Sequence, residues 1–169
     1  MIRLAAMALV ALTVVGPGHV PLGHSAQGRA IVAVEVGDPH AARKVLVVGC
    51  IHGNECAGIA IARRLERMTP PKGVDLWIVE SLNPDGYAAG TRVNARGVDL
   101  NRNFPWGWQD LEGVTGSGPA PLSEPESRLA ARLILRLRPA VSIWFHQHLN
   151  LVDESGGARV SFTLPAASD

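Results

Sequence analysis

The sequence predicts an α/β domain with a mixed, largely parallel β-sheet and helices on both faces. Short apolar runs rich in β-branched residues, at residues 30–36, 44–50 and 74–79, are typical of strands buried on both faces. A helical pattern follows the second run, and another precedes a fourth run at residues 140–145. Strands that alternate with helices predict a sheet that is covered by helices.

The composition is that of an ordinary globular protein. The 169 residues are 47% hydrophobic and 18% charged, and the formal net charge is +1. Acidic and basic residues are interspersed, which argues against nucleic acid or a membrane surface as a partner. We expect one continuous domain without internal repeats.

Residues 1–26 have the parts of a secretory signal peptide. Arg3 precedes an apolar run at residues 4–15, and glycine, proline and small residues follow. The run is shorter than the roughly 20 residues that a membrane-spanning helix needs. We therefore expect a secreted or cell-envelope protein whose domain comprises residues 27–169, with no membrane span after removal of the leader.

The middle of the chain contains one predicted helix and one long irregular segment. Residues 55–68 have helical periodicity, with arginines near the end of the segment, where the helix dipole favours cations. Asn83-Pro84-Asp85-Gly86 predicts a turn. Residues 91–121 are rich in Gly, Asn and Pro and lack periodicity, and long ordered loops of this kind are usually functional.

A second helix is predicted to begin at Ser123-Glu124-Pro125-Glu126 and to end at Pro139. The motif has the form of a capping box, in which the serine hydroxyl and the last glutamate satisfy the first backbone N–H groups of a helix. The final strand, at residues 140–145, ends at His146. Ligands of such sheets bind where strands end, which directs attention to His52 and His146.

His52 and Glu55 follow the second predicted strand and lie three residues apart, so a helical turn would bring them to one side. An imidazole nitrogen and a carboxylate oxygen are two of the three protein ligands typical of catalytic zinc. His146, at the end of another strand, would supply the third. The alternative is a histidine in a turn beside a helix-starting acid, since such pairs often occur by chance.

The irregular segment carries arginines and asparagines that suit an anionic ligand. A guanidinium group matches a carboxylate or an oxyanion, and an asparagine adds a neutral donor. The alternative is a polar surface loop with arginine counter-ions. The residues are Arg92, Asn94, Arg96, Asn101, Arg102 and Asn103.

Cys50 and Cys56 flank the His52–Glu55 pair. In an oxidising compartment they would form a disulfide, whereas two small buried side chains are an equally good interpretation.

Together these motifs resemble the zinc carboxypeptidases of the M14 type. The resemblance extends from about Lys44 to His146 and is strongest to the short bacterial branch, the murein peptide amidases and γ-glutamyl-diamino acid peptidases. The motifs that carry it are His52-x-x-Glu55, Asn83-Pro84-Asp85-Gly86, Arg92, Gly97-Val98-Asp99-Leu100-Asn101-Arg102-Asn103-Phe104-Pro105, Ser123-Glu124-Pro125-Glu126 and His146.

The resemblance implies one Zn²⁺ ion, bound by His52, Glu55 and His146. It also implies that Asp99 orients His52, as ligating histidines commonly require. His148 is a competing third ligand, because alternation along a strand places it on the same side as His146.

The resemblance further implies hydrolysis of a peptide substrate with a free carboxylate. Arg92 would steady the oxyanion formed when water attacks the scissile carbonyl, and Asn101 and Arg102 would hold the terminal carboxylate.

The family's general base is a glutamate far beyond the third zinc ligand, and a tyrosine precedes it. Tyr87 lies upstream of His146, and Glu154 lies too close to it to match. We therefore expect the N-terminal two-thirds of such a domain, incomplete at its C-terminus, with impaired catalysis and an unpaired apolar sheet edge.

Two other functions stay open. The related deacylases, similar to aspartoacylase and succinylglutamate desuccinylase, share a His-Gly-x-Glu start. A non-catalytic module that binds zinc or a peptide is the second alternative.

Overall fold

The computed structural model of the chain describes residues 18–147, apart from the side chain of Val114. Five strands form one sheet in the order β1-β2-β4-β3-β5. The strands are β1 (Gly18–His24), β2 (Ala30–Gly37), β3 (Arg43–Val48), β4 (Val74–Val79) and β5 (Val141–Trp144). The helices are α1 (Gly58–Leu65), α2 (Pro84–Ala89) and α3 (Pro125–Leu137), with 3₁₀ turns at Leu100–Arg102 and Gly113–Thr115.

The sheet is mixed, as the sequence predicts. β2 pairs antiparallel with β1 and β4, whereas β3 pairs parallel with β4 and β5. Val48, the last residue of β3, lies opposite Val79 and Trp144, the last residues of β4 and β5. The three parallel strands therefore end together at one edge, which we call the carboxyl edge.

Helices cover both faces of the sheet because side chains alternate along each strand. One cluster joins α3 to one face, and the other joins α1 to the opposite face, as predicted. The first cluster includes Ile31, Ala33, Leu46, Val48, Val79, Leu129, Leu133 and Leu137. The second cluster includes Val34, Val36, Val47, Ala62, Leu76 and Ile78.

Within the described residues, no helix has the length and apolarity that crossing a bilayer requires.

The sheet begins earlier than the sequence predicts. β1 lies within the segment assigned to the leader, yet it pairs with β2 from Gly18 to His24, with one irregularity between Pro21 and Gly23. Pro21 and Gly23 hide this strand from pattern analysis, although an edge strand tolerates both residues. The domain boundary therefore moves from residue 27 to Gly18, and export itself stays a prediction.

Two local predictions around the helices need correction. The segment Asn83–Gly86 begins helix α2 instead of forming a turn, because the Asn83 side chain caps the helix by accepting from the Gly86 N–H at 2.9 Å, and Pro84 suits the first helical position. Helix α1 begins at Gly58, so Glu55 lies in the turn before the helix and not in its first turn.

The predicted capping box of α3 is wrong. The helix begins at Pro125 after Glu124, which makes no side-chain cap, and the Ser123 hydroxyl donates to the Glu124 carboxylate at 3.0 Å. The Glu126 carboxylate accepts instead from the Ala26 N–H at 2.8 Å. A tertiary contact has thus taken the group that the local motif would have used.

A buried carboxylate fastens the β1–β2 connection to α2. Asp85 is 3% exposed and accepts from the Ser25 hydroxyl at 2.8 Å, the Gln27 N–H at 2.9 Å and the Arg29 guanidinium at 2.7 Å. Burial raises the pKa of the Asp85 carboxyl, but the hydrogen bonds from Arg29, Gln27 and Ser25 outweigh burial and hold that pKa below its ordinary value of 3.8.

We predict that Asp85→Asn lowers the free energy of unfolding by about 2–3 kcal/mol at pH 7, because it replaces an acceptor of charged hydrogen bonds. Since the folded-state pKa is depressed, this stabilisation is present above the unfolded-state pKa and is lost as pH falls through the folded-state value. Urea unfolding of both proteins between about pH 3 and pH 7 measures the difference. A difference that does not shrink in acid would contradict the assignment.

Candidate metal centre

The sheet topology brings His52 and His146 to the carboxyl edge. His52 follows β3, His146 follows β5, and these two strands are neighbours. The Phe145 N–H donates to the Val48 carbonyl at 3.0 Å, which extends the pairing to the residue before His146. Residues 94 positions apart in the chain therefore face each other.

His52, Glu55 and His146 point one atom each at a common centre, and we call these residues the triad. The distances are 3.1 Å from His52 Nδ1 to Glu55 Oε2, 3.2 Å from His146 Nδ1 to Glu55 Oε2, and 3.2 Å between the two Nδ1 atoms. Tetrahedral zinc bound at 2.0–2.1 Å separates its nitrogen and oxygen ligands by about 3.3 Å. The donor types and the spacing therefore both fit zinc.

A tight turn, not a helix, sets the His52–Glu55 spacing. The Glu55 N–H donates to the His52 carbonyl at 2.9 Å, and His52 is 1% exposed. Gly53 lies against the backbone of Gly86 and Tyr87, so a Cβ atom at position 53 would overlap with that backbone. The glycine therefore lets the turn approach α2 closely.

Asp99 orients the His52 ring from the side opposite the triad. Asp99 is fully buried, and its Oδ1 lies 2.9 Å from His52 Nε2. The Asp99 carboxylate accepts a hydrogen bond from the Nε2–H group of His52. The Nδ1 atom of His52 therefore keeps its lone pair, which faces Glu55 and His146. This contact is the one that the family resemblance implies for Asp99.

Both carboxylates of the site stay ionised at neutral pH. Burial raises the pKa of the Asp99 carboxyl, but the hydrogen bond from His52 and the charge of Arg92 hold it below 3.8. Burial likewise raises the pKa of Glu55, and its contacts with His52, the Gln147 N–H and His146 hold it below 4.5. An ionised Glu55 is the form that binds a metal.

Arg92 reaches the site but joins its two carboxylates. Its Nε donates to Asp99 Oδ2 at 2.9 Å, and its Nη1 donates to Glu55 Oε1 at 2.5 Å. The sequence assigns Arg92 to an oxyanion, and this role stays a prediction. The structure adds a second role, since the guanidinium fixes the carboxylate of Glu55, which is a triad residue.

Asn101 and Arg102 are exposed on the 3₁₀ turn that follows Asp99. Asp99 Oδ1, which accepts from His52, also accepts from the Asn101 N–H at 2.9 Å. Neither residue makes a hydrogen bond or an ion pair with the triad within residues 18–147, and their predicted binding of a substrate carboxylate stays a prediction. One carboxylate oxygen nevertheless fixes the position of this turn relative to His52.

The other two asparagines of the segment use their side chains within the protein, where Asn94 donates to the Glu124 carboxylate at 2.8 Å, instead of offering donors to an anionic ligand. Asn94 and Asn103 are both buried. Asn94 accepts from the N–H groups of Arg96 and Val98, both at 3.0 Å, and Asn103 donates to the Ser117 carbonyl at 2.7 Å. They hold the irregular segment in one conformation without regular secondary structure.

Sequence reasoning missed Gln147. Its N–H donates to Glu55 Oε2 at 3.3 Å, and its side-chain oxygen accepts from the Ala57 N–H at 2.9 Å. The only signal in the sequence is its position directly after His146. The alternative ligand His148 and the downstream Glu154 lie outside the described residues.

Comparison with known proteins decides the family. The zinc carboxypeptidase model of peptidase family M14 matches residues 18–152, most of the chain. The chain belongs to the zinc carboxypeptidase family. The match begins at the first residue of β1, which agrees with the corrected domain boundary.

Its relatives include both amidases and carboxypeptidases. The chain is 31% identical to murein peptide amidase A of Escherichia coli K12 over 153 residues, which cover 82% of this chain and 62% of that protein. It is 30% identical over 114 residues to the human carboxypeptidase N catalytic chain, covering 50% of this chain and 25% of the relative. The chain thus spans less than two thirds of each of these relatives.

Solved structures show the same fold. The murein-tripeptide amidase MpaA of Escherichia coli O157 superposes with a TM-score of 0.67 at 31% identity, covering 81% of this chain and 62% of that one. The carboxypeptidase A of Helicoverpa armigera gives a TM-score of 0.68 at 24% identity, covering 80% of this chain and 42% of that one. The latter likeness supports the zinc carboxypeptidase fold alone.

We predict that Asp99→Asn weakens zinc binding by this zinc carboxypeptidase chain about 10- to 100-fold, because an amide replaces the carboxylate that orients His52. Competition with a chromophoric chelator measures the zinc affinity. Asp38→Asn is the matched control, since Asp38 is exposed and its side chain accepts only from the His40 N–H among the described hydrogen bonds. Equal affinities for the wild type and Asp99→Asn would refute the orienting role.

Proposed function

We propose that this chain is the metal- and carboxylate-binding part of a zinc-dependent carboxypeptidase or peptide amidase. The proposed reaction is hydrolysis by water of a C-terminal peptide bond or a γ-glutamyl amide bond, on cell-wall peptides. The observation that carries the proposal is the triad, whose three donor atoms lie 3.1–3.2 Å apart beside an arginine-bearing loop.

The triad would hold one zinc ion through His52 Nδ1, Glu55 Oε2 and His146 Nδ1. Bound zinc supplies a Lewis acid that lowers the pKa of water and polarises a carbonyl oxygen. His146 is one-third exposed, whereas His52 is buried, so the substrate would approach from the His146 side.

Arg92 would donate to the oxyanion that forms at the scissile carbonyl. Its Nε and Nη1 are engaged by Asp99 and Glu55, and its Nη2 makes no hydrogen bond among residues 18–147. The side chain is 30% exposed, so this remaining nitrogen can meet a substrate. A donor held in place by two carboxylates needs little reorganisation during the reaction.

Asn101 and Arg102 would bind the terminal carboxylate of the substrate. The Arg102 guanidinium is exposed, and its Nη1 makes only a 3.4 Å contact with the Asn101 carbonyl among the described hydrogen bonds. A planar guanidinium suits a carboxylate, which would displace this weak contact. Asp99 caps the turn that carries Asn101 and Arg102, and it also binds His52. The distance between this turn and the triad is therefore fixed.

We propose that the general base comes from outside residues 18–147. In the described site, the carboxylates that contact the triad histidines belong to Glu55, a proposed ligand, and Asp99, which already binds His52 and Arg92. A positioned general base contributes typically 10²–10⁴-fold to a rate. The chain without such a base would turn over slowly.

We also propose that the protein acts outside the cytoplasm. The apolar run at residues 4–15 and the Cys50–Cys56 disulfide both support export, since disulfides persist in oxidising compartments. The murein peptide amidases among the relatives support a cell-wall substrate. A leader that ends before Gly18 would leave β1 intact, and sequencing of the mature N-terminus tests this.

The decisive assay joins residues 1–147 to the C-terminal segment of the Escherichia coli murein peptide amidase. We expect this fusion to release C-terminal residues from peptides, to lose activity on zinc chelation and to regain it when zinc is returned. A C-terminally amidated peptide should be a poor substrate because it lacks the carboxylate. A folded, zinc-loaded fusion that hydrolyses acyl-amino acids but no peptide would favour a deacylase instead.

Arg102→Ala in this fusion should raise KM about 10- to 100-fold, since a charged hydrogen bond contributes roughly 1.5–3 kcal/mol. Arg96→Ala is the control from the same loop, because Arg96 pairs with Glu124 at 3.7 Å and is assigned no contact with substrate. Equal KM values for the two variants would rule out Arg102 as the carboxylate ligand.

A further inference from the structure

A disulfide encloses the turn that carries two of the three triad residues. Cys50, which is fully buried, lies two residues after the end of β3, and Cys56 lies two residues before the start of α1. The bond joins them with their Cα atoms 4.8 Å apart. The five residues between them include His52 and Glu55.

The strand side of this turn is held by other contacts as well. The Leu82 N–H donates to the Cys50 carbonyl at 2.8 Å, Asp99 holds the His52 ring at 2.9 Å, and Gly53 packs against the backbone of Gly86. His52 is therefore fixed from several directions, and the disulfide is not needed to place it.

The backbone on the helix side of the turn has fewer anchors, although the Glu55 carboxylate accepts from Arg92 Nη1 at 2.5 Å. Glu55 and Cys56 lie in irregular backbone before α1, and the Glu55 N–H donates back to His52 within the same turn. The contacts to Gln147 join Glu55 and Ala57 to the segment of His146, itself a triad residue. Cys56 is thus the point at which a covalent bond ties the Glu55 side of the turn to β3.

This arrangement makes the position of Glu55 relative to His52 depend on the cross-link. Metal affinity falls when ligands must be ordered at the moment of binding, since the ordering entropy then opposes binding. Opening the disulfide would let the backbone of Glu55 move, with the Arg92 and Gln147 contacts to its carboxylate left, while Asp99 still holds His52. The 3.1 Å spacing of their donor atoms would then no longer be preset.

We propose that the Cys50–Cys56 disulfide is a positioning element of the metal centre, and that its reduction lowers the zinc affinity of the folded chain. This inference rests on the proposed zinc-binding function of the triad. The reaction is an exchange with a dithiol reductant: the S–S bond accepts two electrons and two protons and becomes two thiols, and the dithiol is oxidised to a disulfide.

The test measures zinc affinity by chelator competition, and unfolding midpoints, for four forms of the 169-residue chain. They are the oxidised wild type, the dithiol-reduced wild type, Cys50→Ala/Cys56→Ala and the control Leu137→Ala. The reductant is removed anaerobically, because dithiols themselves bind zinc. The double alanine variant has no thiol that could replace a lost ligand. Leu137 is a buried core residue at the end of α3, three residues before Ala140, whose N–H donates to Lys44 near the start of β3 and so away from the carboxyl edge.

We expect the double variant to bind zinc about tenfold or more weakly than the oxidised wild type, by analogy with the loss of other groups that orient ligands. Leu137→Ala should lower the unfolding midpoint and leave the zinc affinity unchanged. If the double variant does not fold, Cys50→Ser/Cys56→Ser, which also lacks both thiols, decides by the same criterion.

Three results would overturn the inference. Equal zinc affinity with and without the disulfide would show that the cross-link does not position Glu55. A parallel loss of affinity in Leu137→Ala would show that the effect is one of global stability. An oxidised wild type that binds no zinc would overturn the proposed function together with this inference, whereas the first two results leave the proposed function intact.

Discussion

The site depends on the pairing of β3 with β5. These parallel strands end together, so the residues that follow them meet at the carboxyl edge even though they are far apart in the chain. Phe145 continues the pairing by one hydrogen bond to Val48, and this contact fixes the position of the next residue, His146. Without that register, His52 and Glu55 would form a two-donor pair with no third ligand at 3.2 Å.

Asp99 extends this constraint from the sheet to the loop. One buried carboxylate binds the His52 ring, the Asn101 N–H and the Arg92 guanidinium. The charges of this network alternate, since Arg92 lies between Asp99 and Glu55. Burial of the two anions is therefore offset by hydrogen bonds, and the carboxylates are already ionised and oriented before any ligand arrives.

Much of this could be read from the sequence because the signals are local or repeated in order. The strands at residues 74–79 and 140–145 are apolar and β-branched, and the motif series from His52 to His146 identifies the family. β1 was not predicted, because an edge strand with proline and glycine has no periodic pattern. Ser123–Glu126 looked like a capping box because local sequence does not reveal that Ala26 takes the carboxylate of Glu126.

The site residues show the same division between local and tertiary information. The pattern identifies His52, Glu55 and His146 as candidate ligands, but it does not reveal that Arg92 binds Glu55 or that Gln147 does so from the other side. These contacts join segments 37 and 92 positions apart in the chain. Only the packed fold determines which polar groups of the loop support the backbone and which face solvent.

X-ray absorption at the zinc edge of the purified, zinc-loaded chain tests the central claim most directly. We expect a first shell of nitrogen and oxygen scatterers at about 2.0–2.1 Å, with imidazole scattering from two histidines and no sulfur. Replacing His146 by alanine should reduce the imidazole contribution to one ring. A sulfur shell at about 2.3 Å, which would place Cys50 or Cys56 on the metal, would contradict a centre built from His52, Glu55 and His146.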